Sequence, residues 1–379
     1  MIGMIEDFDL KKLVMPLQQW FENNARILPW REQPMAYYVW ISEIMLQQTR
    51  VEAVKPYFDR FIRELPDVKS LAECPEDKLL KLWEGLGYYN RVRNLKIAAN
   101  QILEEYGGVI PSEYEELLKL KGVGHYTAGA IASIAYGKAV PAVDGNVLRV
   151  ISRVTADDSD IMKQSVRTNM EKRLLEVMCD EDTEVIPSIF NQALMELGAT
   201  VCMPSGVPHC DVCPWKEICE AKQQDIIMEL PVKKKAKERR IEERTVLVLK
   251  DGSQLALHKR PKKGLLAGMY ELPNVEGHLS EEEVLAFVKE QGYVPIRVQK
   301  ACDAKHIFSH VEWRMKGYVV FLQAGEFAEK KEEVSESSIA KDWIFVEPAE
   351  TKEQYAIPSA FVKYTEYLNL VIGKNVFLE

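Results

Sequence analysis

No run of apolar residues in this 379-residue sequence approaches the ~20 needed to cross a bilayer. The first ten residues carry Glu6, Asp7 and Asp9, the wrong chemistry for a secretory signal. Both absences argue for a cytoplasmic location and against a membrane partner. No internal repeat is present. Nor is there an excess of positive charge: 49 Lys and Arg against 58 Asp and Glu leave a net charge of −9. That balance argues against a nucleic-acid partner only at face value, because DNA binding needs a local surface and not a basic whole.

What is present is an ordinary globular composition, 47% hydrophobic and 28% charged, in a chain too long for one core. Two or three compact units are expected. Charge is uneven, with a basic run Lys233-Lys-Lys-Ala-Lys-Glu-Arg-Arg240 and acidic runs at Glu281–Glu283 and Glu326–Glu336. Of seven cysteines, Cys74, Cys179 and Cys302 are scattered and read as buried thiols. The other four fall together between Cys202 and Cys219.

Residues 10–225 read as almost wholly helical. Apolar residues recur at helical spacing in Pro16–Asn23, Val39–Arg50, Ala53–Glu64, Asp77–Leu86, Asn94–Tyr106, Glu113–Leu120 and Thr127–Tyr136. Gly145–Thr155, Lys163–Cys179 and Pro187–Leu197 continue the pattern. Beyond Cys219 the character changes. Residues 229–243 look like a solvated basic linker. Strands follow, Thr245–Leu249 and Gln254–Lys259 flanking the hairpin signal Asp251-Gly252, with a later strand at Trp313–Leu322. Ser280 and Glu283 form a capping box before a helix. The expected fold class is multidomain: an all-α domain over 1–228, then an α+β domain over 244–379.

Three features carry chemistry. In Leu120-Lys-Gly-Val-Gly-His-Tyr-Thr-Ala-Gly-Ala-Ile131, two helices meet at Gly122-Val123-Gly124. Glycine lets backbone N–H groups approach a phosphate, and the following helix start favours the anion. Such a grip is independent of DNA sequence; an ordinary helical corner is the plainer alternative. The four cysteines, Cys202-x7-Cys210-x2-Cys213-x5-Cys219, suit either tetrahedral zinc or a cubane iron–sulfur cluster.

Two carboxylates complete the set. Glu43 lies among Trp40, Ile41, Ile44, Met45 and Leu46, where desolvation should raise its pKa toward that of a general acid. Asp144 precedes a helix in Pro141-Ala-Val-Asp-Gly-Asn-Val147 and suits an N-cap, a place where an ionised carboxylate can also face developing positive charge. One acid and one anion match the division of labour in glycoside hydrolysis.

The hairpin and cysteine loop resemble the helix-hairpin-helix of the endonuclease III superfamily and its C-terminal iron–sulfur loop. Two departures are Lys121, where that family usually has proline, and a first cysteine gap of seven residues, where six is usual. Leu28-Pro-Trp-Arg31, the Glu43 helix ending Gln47-Gln-Thr-Arg-Val51, Gly85-Leu-Gly-Tyr-Tyr-Asn-Arg-Val-Arg93, Val143-Asp-Gly-Asn-Val147 and Asn191-Gln-Ala-Leu-Met-Glu-Leu-Gly198 narrow the resemblance. Together they are similar to the MutY family of adenine DNA glycosylases, over essentially the whole chain.

That resemblance implies a monomeric base-excision enzyme, nucleoid-associated in the cytoplasm, acting on double-stranded DNA with 8-oxoguanine·A or G·A mispairs. It implies a [4Fe-4S] cluster on Cys202, Cys210, Cys213 and Cys219. Glu43 would protonate adenine at N7 and Asp144 would stabilise the deoxyribosyl cation, assisted by Tyr126 and Asn146. Arg26, Leu28, Trp30, Arg31, Leu46 and Glu196 would shape the adenine pocket. Gln48 and Tyr88 would wedge into the base stack, and Leu86 would touch the oxidised guanine. Tyr126 occupies the position where bifunctional relatives carry the lysine that attacks the sugar, so no strand cleavage is expected.

His258-Lys-Arg-Pro-Lys-Lys-Gly-Leu-Leu-Ala-Gly-Met-Tyr-Glu-Leu-Pro273 resembles the family's Nudix-like C-terminal domain. The helix after Ser280 lacks the Arg-Glu…Glu-Glu pattern of a working Nudix hydrolase. Recognition of 8-oxoguanine by Phe308, Ser309 and His310 is the remaining role. Two other functions compete: a bifunctional pyrimidine-lesion enzyme, opposed by Tyr126 and the C-terminal domain, and a non-enzymatic DNA- or nucleotide-binding protein, opposed by the paired carboxylates.

Overall fold

The structure is a computed structural model describing residues 8–233, 239–323 and 343–367. The acidic run at 326–336 and most of the basic run at 233–240 lie outside the described residues. The chain divides into two compact units. One takes the described residues of Met1–Glu73 and Arg93–Ala236, the other Cys74–Val92 with the described residues of Lys237–Glu379.

The first unit is helical. Its helices are α1 (Val14–Asn24), α2 (Pro29–Glu32), α3 (Ala36–Leu46), α4 (Val51–Glu64) and α5 (Val68–Glu73), then α7 (Asn90–Tyr106, from Arg93), α8 (Tyr114–Leu117) and α9 (His125–Ala130). There follow α10 (Gly145–Val154), α11 (Gln164–Met178), α12 (Pro187–Thr200) and α13 (Glu220–Gln223). Leu17, Phe21, Val147, Ile151, Leu174, Phe190, Leu194 and Leu197 share one core, so α1, α10, α11 and α12 bury their apolar stripes against one another. Helix α3 stops at Leu46, short of the expected Arg50, because Gln48 takes a left-handed backbone (φ 61°). The expected helix to Tyr136 is α9 followed by a π-helical turn over Ile131–Ala135.

Gly129 in α9 lies against the segment that leads to Asp144. A Cβ there would sit 2.3 Å from the Pro141 carbonyl oxygen, a backbone atom that cannot swing aside. Gly129→Ala is therefore expected to cost about 2 kcal/mol through overpacking, read as a lower melting temperature. An unchanged melting temperature would show that this approach is not tight.

The second unit holds α6 (Glu76–Leu82) and an eight-stranded sheet. Its strands are β1 (Arg240–Asp251), β2 (Gln254–Lys259), β3 (Tyr270–Glu271), β4 (Asn274–Glu276), β5 (Pro295–Lys300), β6 (Ala304–Ile307), β7 (Val311–Leu322) and β8 (Trp343–Val346). The main path runs β3-β2-β1-β7-β5, with β1 and β7 parallel and their neighbours antiparallel. Alternation along β1 sends Val246 and Val248 to one face and Leu247 and Leu249 to the other. Val284 and Val288 of α14 (Glu281–Glu290) cover the second face; Ile357, Phe361 and Tyr364 cover the first. The capping box at Ser280 and Glu283 forms as expected. The hairpin turn falls one residue later than expected: Asp251 pairs with Gln254, leaving Gly252 (φ 58°) and Ser253 at the bend.

Two sequence expectations need correction. Cys74–Val92 falls within the first expected domain, 1–228, yet packs with the second unit. Lys81 donates to the carbonyls of Thr351 (2.7 Å) and Tyr355 (3.2 Å), and Ile357 N–H donates to Glu84 (2.7 Å). Of the scattered thiols only Cys74 is buried; Cys302 is half-buried, and Cys179, at the end of α11, is exposed.

Candidate active site

Glu43 lies on α3, a helix apolar almost all round, and is buried. Burial raises its pKa to about 7; the charge of Asp144 pushes the same way, against a hydrogen bond from Tyr126 and the Arg31 guanidinium. Tyr126, in the second residue of α9, donates a short hydrogen bond to the Glu43 carboxylate and lies 3.1 Å from the Met195 sulfur. Its own pKa is driven far up by burial and by both carboxylates. Glu43, Tyr126 and Asp144, remote in sequence, therefore share one electrostatic environment.

Asp144 caps α10. Its Oδ1 accepts the N–H groups of Asn146 (2.8 Å) and Val147 (2.8 Å), and its Oδ2 accepts Asn146 Nδ2 (2.7 Å). The N-cap and site readings thus coincide. Burial raises Asp144, while these three donors favour its anion. Arg149, one turn on, binds Asn146 Oδ1 (2.9 Å), the Gly198 carbonyl (2.8 Å) and the Cys202 carbonyl (2.9 Å). Asn191, fully buried on α12, accepts from Ala142 N–H (3.0 Å) and donates to the Val140 carbonyl (2.8 Å), holding the segment that leads to Asp144.

Nearby, Glu196 is buried between two arginines: Arg26 Nε at 2.6 Å and Arg31 at 2.9 Å. Burial alone would raise the Glu196 carboxyl, but the guanidiniums hold it below its ordinary range. Arg31 also reaches Gln192 (3.0 Å) and lies over the Phe21 ring. Leu28 is buried at the start of α2, and Trp30 packs edge-on against Phe58. Leu46 ends α3, half-buried, and Gln48 is exposed beyond it. Sequence reasoning missed Gln192, Met195, Asn191 as an anchor, and Arg149. Gln192 and Glu196 stand four apart on one helix, a spacing that places both on one face.

In the hairpin, Gly122 (φ 80°) and Gly124 are exposed. A Cβ on Gly122 would collide with Asn94. At Val123, between the two glycines, the N–H donates to the Leu120 carbonyl (3.1 Å) and the side chain is buried.

The four clustered cysteines line one small cavity of about 30 Å³ with Arg153, Lys216 and Lys222. Arg153 also donates to Cys202 Sγ (3.3 Å), so cations surround sulfur ligands that would be thiolates, a donor set suited to a cluster. Among the described residues no group of three or more His, Cys, Asp or Glu is arranged to hold a metal ion. No helix among them is long and apolar enough to cross a membrane.

The remaining candidates belong to the second unit. Leu86 is buried, whereas Tyr88 is exposed with a left-handed backbone (φ 50°) and its ring lies under the Arg91 guanidinium. Tyr89 is buried. Phe308, Ser309 and His310 form the tip between β6 and β7. Phe308 packs edge-on against Trp313 (5.0 Å), and Ser309 and His310 are exposed and hydrogen-bonded to each other (3.1 Å). Arg240 N–H holds the His310 carbonyl (3.1 Å).

Residues 41–176 match the HhH-GPD superfamily of base excision DNA repair proteins, and residues 244–367 match the NUDIX domain. The Arabidopsis thaliana adenine DNA glycosylase is 34% identical over 84% of this chain and 59% of its own. The human adenine DNA glycosylase is 34% identical over 81% and 66%, so this chain spans under two thirds of both. That of Buchnera aphidicola (subsp. Baizongia pistaciae) is 32% identical over 77% of this chain and 81% of its own. With a helical repair domain followed by a NUDIX domain, and these relatives over most of its length, the chain belongs to the adenine DNA glycosylase family.

Proposed function

We propose that this protein is a monofunctional DNA glycosylase that hydrolyses the N-glycosidic bond of adenine paired with 8-oxoguanine or guanine. The observation carrying this reading is the buried Glu43 with its pKa near 7, hydrogen-bonded to Tyr126 and electrostatically coupled to Asp144. A neutral Glu43 carboxyl delivers its proton to adenine N7, so that the base leaves uncharged. Asp144, held by three donors at the helix start, faces the positive charge that grows on the sugar. Water then completes the hydrolysis. Tyr126 has no amine with which to form a Schiff base, so the product is an abasic site in an unbroken strand.

The Arg26–Glu196–Arg31 cluster, with Leu28, Trp30 and Leu46, accommodates the extruded base. Gln48 and Tyr88, both exposed with left-handed backbones, are the wedges left in the stack. Strained residues of this kind persist where function demands them. Gly122 and Gly124 approach the DNA backbone. Cys202, Cys210, Cys213 and Cys219 would hold a [4Fe-4S] cluster, which would supply a cross-link for the 202–219 loop and no chemistry on the base. The test is base release from duplexes carrying 8-oxoguanine·A, G·A or thymine glycol, with and without alkali. Breaks only at adenine, and only after alkali, support the reading; breaks without alkali or at thymine glycol reject it.

Reading of 8-oxoguanine falls to Ser309 and His310, the exposed polar pair at the β6–β7 tip. Replacing both with alanine should lower the preference for 8-oxoguanine·A over G·A by about tenfold, the worth of a hydrogen bond or two, while adenine release survives. Equal losses on both duplexes would remove these residues from recognition.

A further inference from the structure

Cys74–Val92 lies in sequence within the helical part yet folds with the C-terminal unit. Its fastening is specific. Lys81 spends its ammonium on Glu84 (2.5 Å), the Thr351 carbonyl (2.7 Å) and the Tyr355 carbonyl (3.2 Å). Glu84, buried, also takes the Ile357 N–H (2.7 Å). A buried pair of this kind is costly unless its groups are matched, and the carbonyls of Thr351 and Tyr355 and the Ile357 N–H contribute to that matching. The exposed pair Lys259–Asp77 (2.8 Å) adds a weaker tie.

The fastening continues into the next turn. Trp83, fully buried, donates to the Gly87 carbonyl (3.1 Å); Arg91 donates to the carbonyls of Leu86 (3.1 Å) and Gly87 (3.0 Å). Gly85 N–H reaches the Tyr89 hydroxyl (3.3 Å). The turn that exposes Tyr88 is therefore bound rigidly to α6. On the other side, Ile357 shares a core with Trp313, against which Phe308 packs. Close-packed cores transmit displacement with little loss.

We infer that Lys81 and Glu84 are positioning residues that mount the Tyr88 turn on the same body as the Phe308–His310 tip, so that wedge and partner-base reader engage DNA together. The inference rests on the proposed DNA roles of Tyr88 and Phe308–His310. Its consequence is that the identity of the base opposite adenine governs how firmly the wedge is seated.

The test uses the full chain carrying Glu84→Ala, with Lys81→Met/Glu84→Gln as a second variant that strands no buried charge and keeps an acceptor for Ile357. Asp77→Asn, which breaks only the exposed pair, is the control. Single-turnover adenine release is measured on 8-oxoguanine·A and G·A, together with amide hydrogen exchange over Gly85–Tyr89. Glu84→Ala should speed exchange there and lower the rate ratio between the duplexes by about tenfold, an ordinary coupling between sites. The double variant should fall between parent and Glu84→Ala, and Asp77→Asn should match the parent. An unchanged ratio in both Glu84 variants, with only a lower melting temperature, overturns the inference. A parent that releases adenine from neither duplex overturns the proposed function itself, a result visible before any variant is made.

Discussion

Replacing Glu43 with glutamine is expected to slow adenine release by about 10³-fold, within the range that general acid catalysis contributes. The amide has the shape to stay beside Tyr126, so the loss isolates the missing proton. The sign of the pH dependence follows from the raised pKa. The working form is the neutral carboxylic acid, which prevails below about 7 and is depleted as pH rises through it. The parent's rate should therefore fall on the alkaline side, by tenfold per unit well above the pKa, and the glutamine variant should lose that limb. Single-turnover rates across neutral pH provide the check. A variant as fast as the parent would return Glu43 to the status of a buried structural acid and assign the proton donor elsewhere.

Asp144→Asn separates catalysis from capping. Asparagine caps helices about as well as aspartate, and its one carbonyl oxygen can still take the Asn146 and Val147 N–H groups now bound by Oδ1. The other atom becomes a donor facing Asn146 Nδ2, which cannot readily flip because Asn146 Oδ1 is taken by Arg149. That mismatch should cost about 1 kcal/mol of stability. Losing the anion opposite the sugar cation should cost far more in rate, about 10³-fold. Thermal melting and single-turnover release on one preparation tell these apart. A rate loss no larger than the stability loss would leave Asp144 as a helix cap alone.

Local chemistry made much of this legible in the sequence. The apolar ring around Glu43 announced its burial and raised pKa. Asp-Gly-Asn announced the cap, and Ser280 with Glu283 announced a helix start. Each signal sits within a few residues, where periodicity and capping operate. The misreadings share the opposite character. Nothing near Lys81 or Glu84 indicates that their partners are main-chain atoms some 270 residues away. The closure of the Val123 N–H onto the Leu120 carbonyl is likewise not specified by Gly-x-Gly spacing. The left-handed backbone at Gln48 ends α3 early because a non-glycine residue takes a conformation that propensity disfavours.

The hydrogen bond from Arg240 to His310 bears on how this unit responds to a change of chain length. Strand β1 begins at the residue that fixes the main chain of the reading tip, and from there it runs beside β7 in strict parallel register. A residue inserted or removed within the first turns of β1 would slide that pairing by one and exchange the faces of Val246 and Leu247. Single-residue insertions or deletions after Arg240 should therefore cost the β1–β7 pairing and, with it, the fold of the sheet.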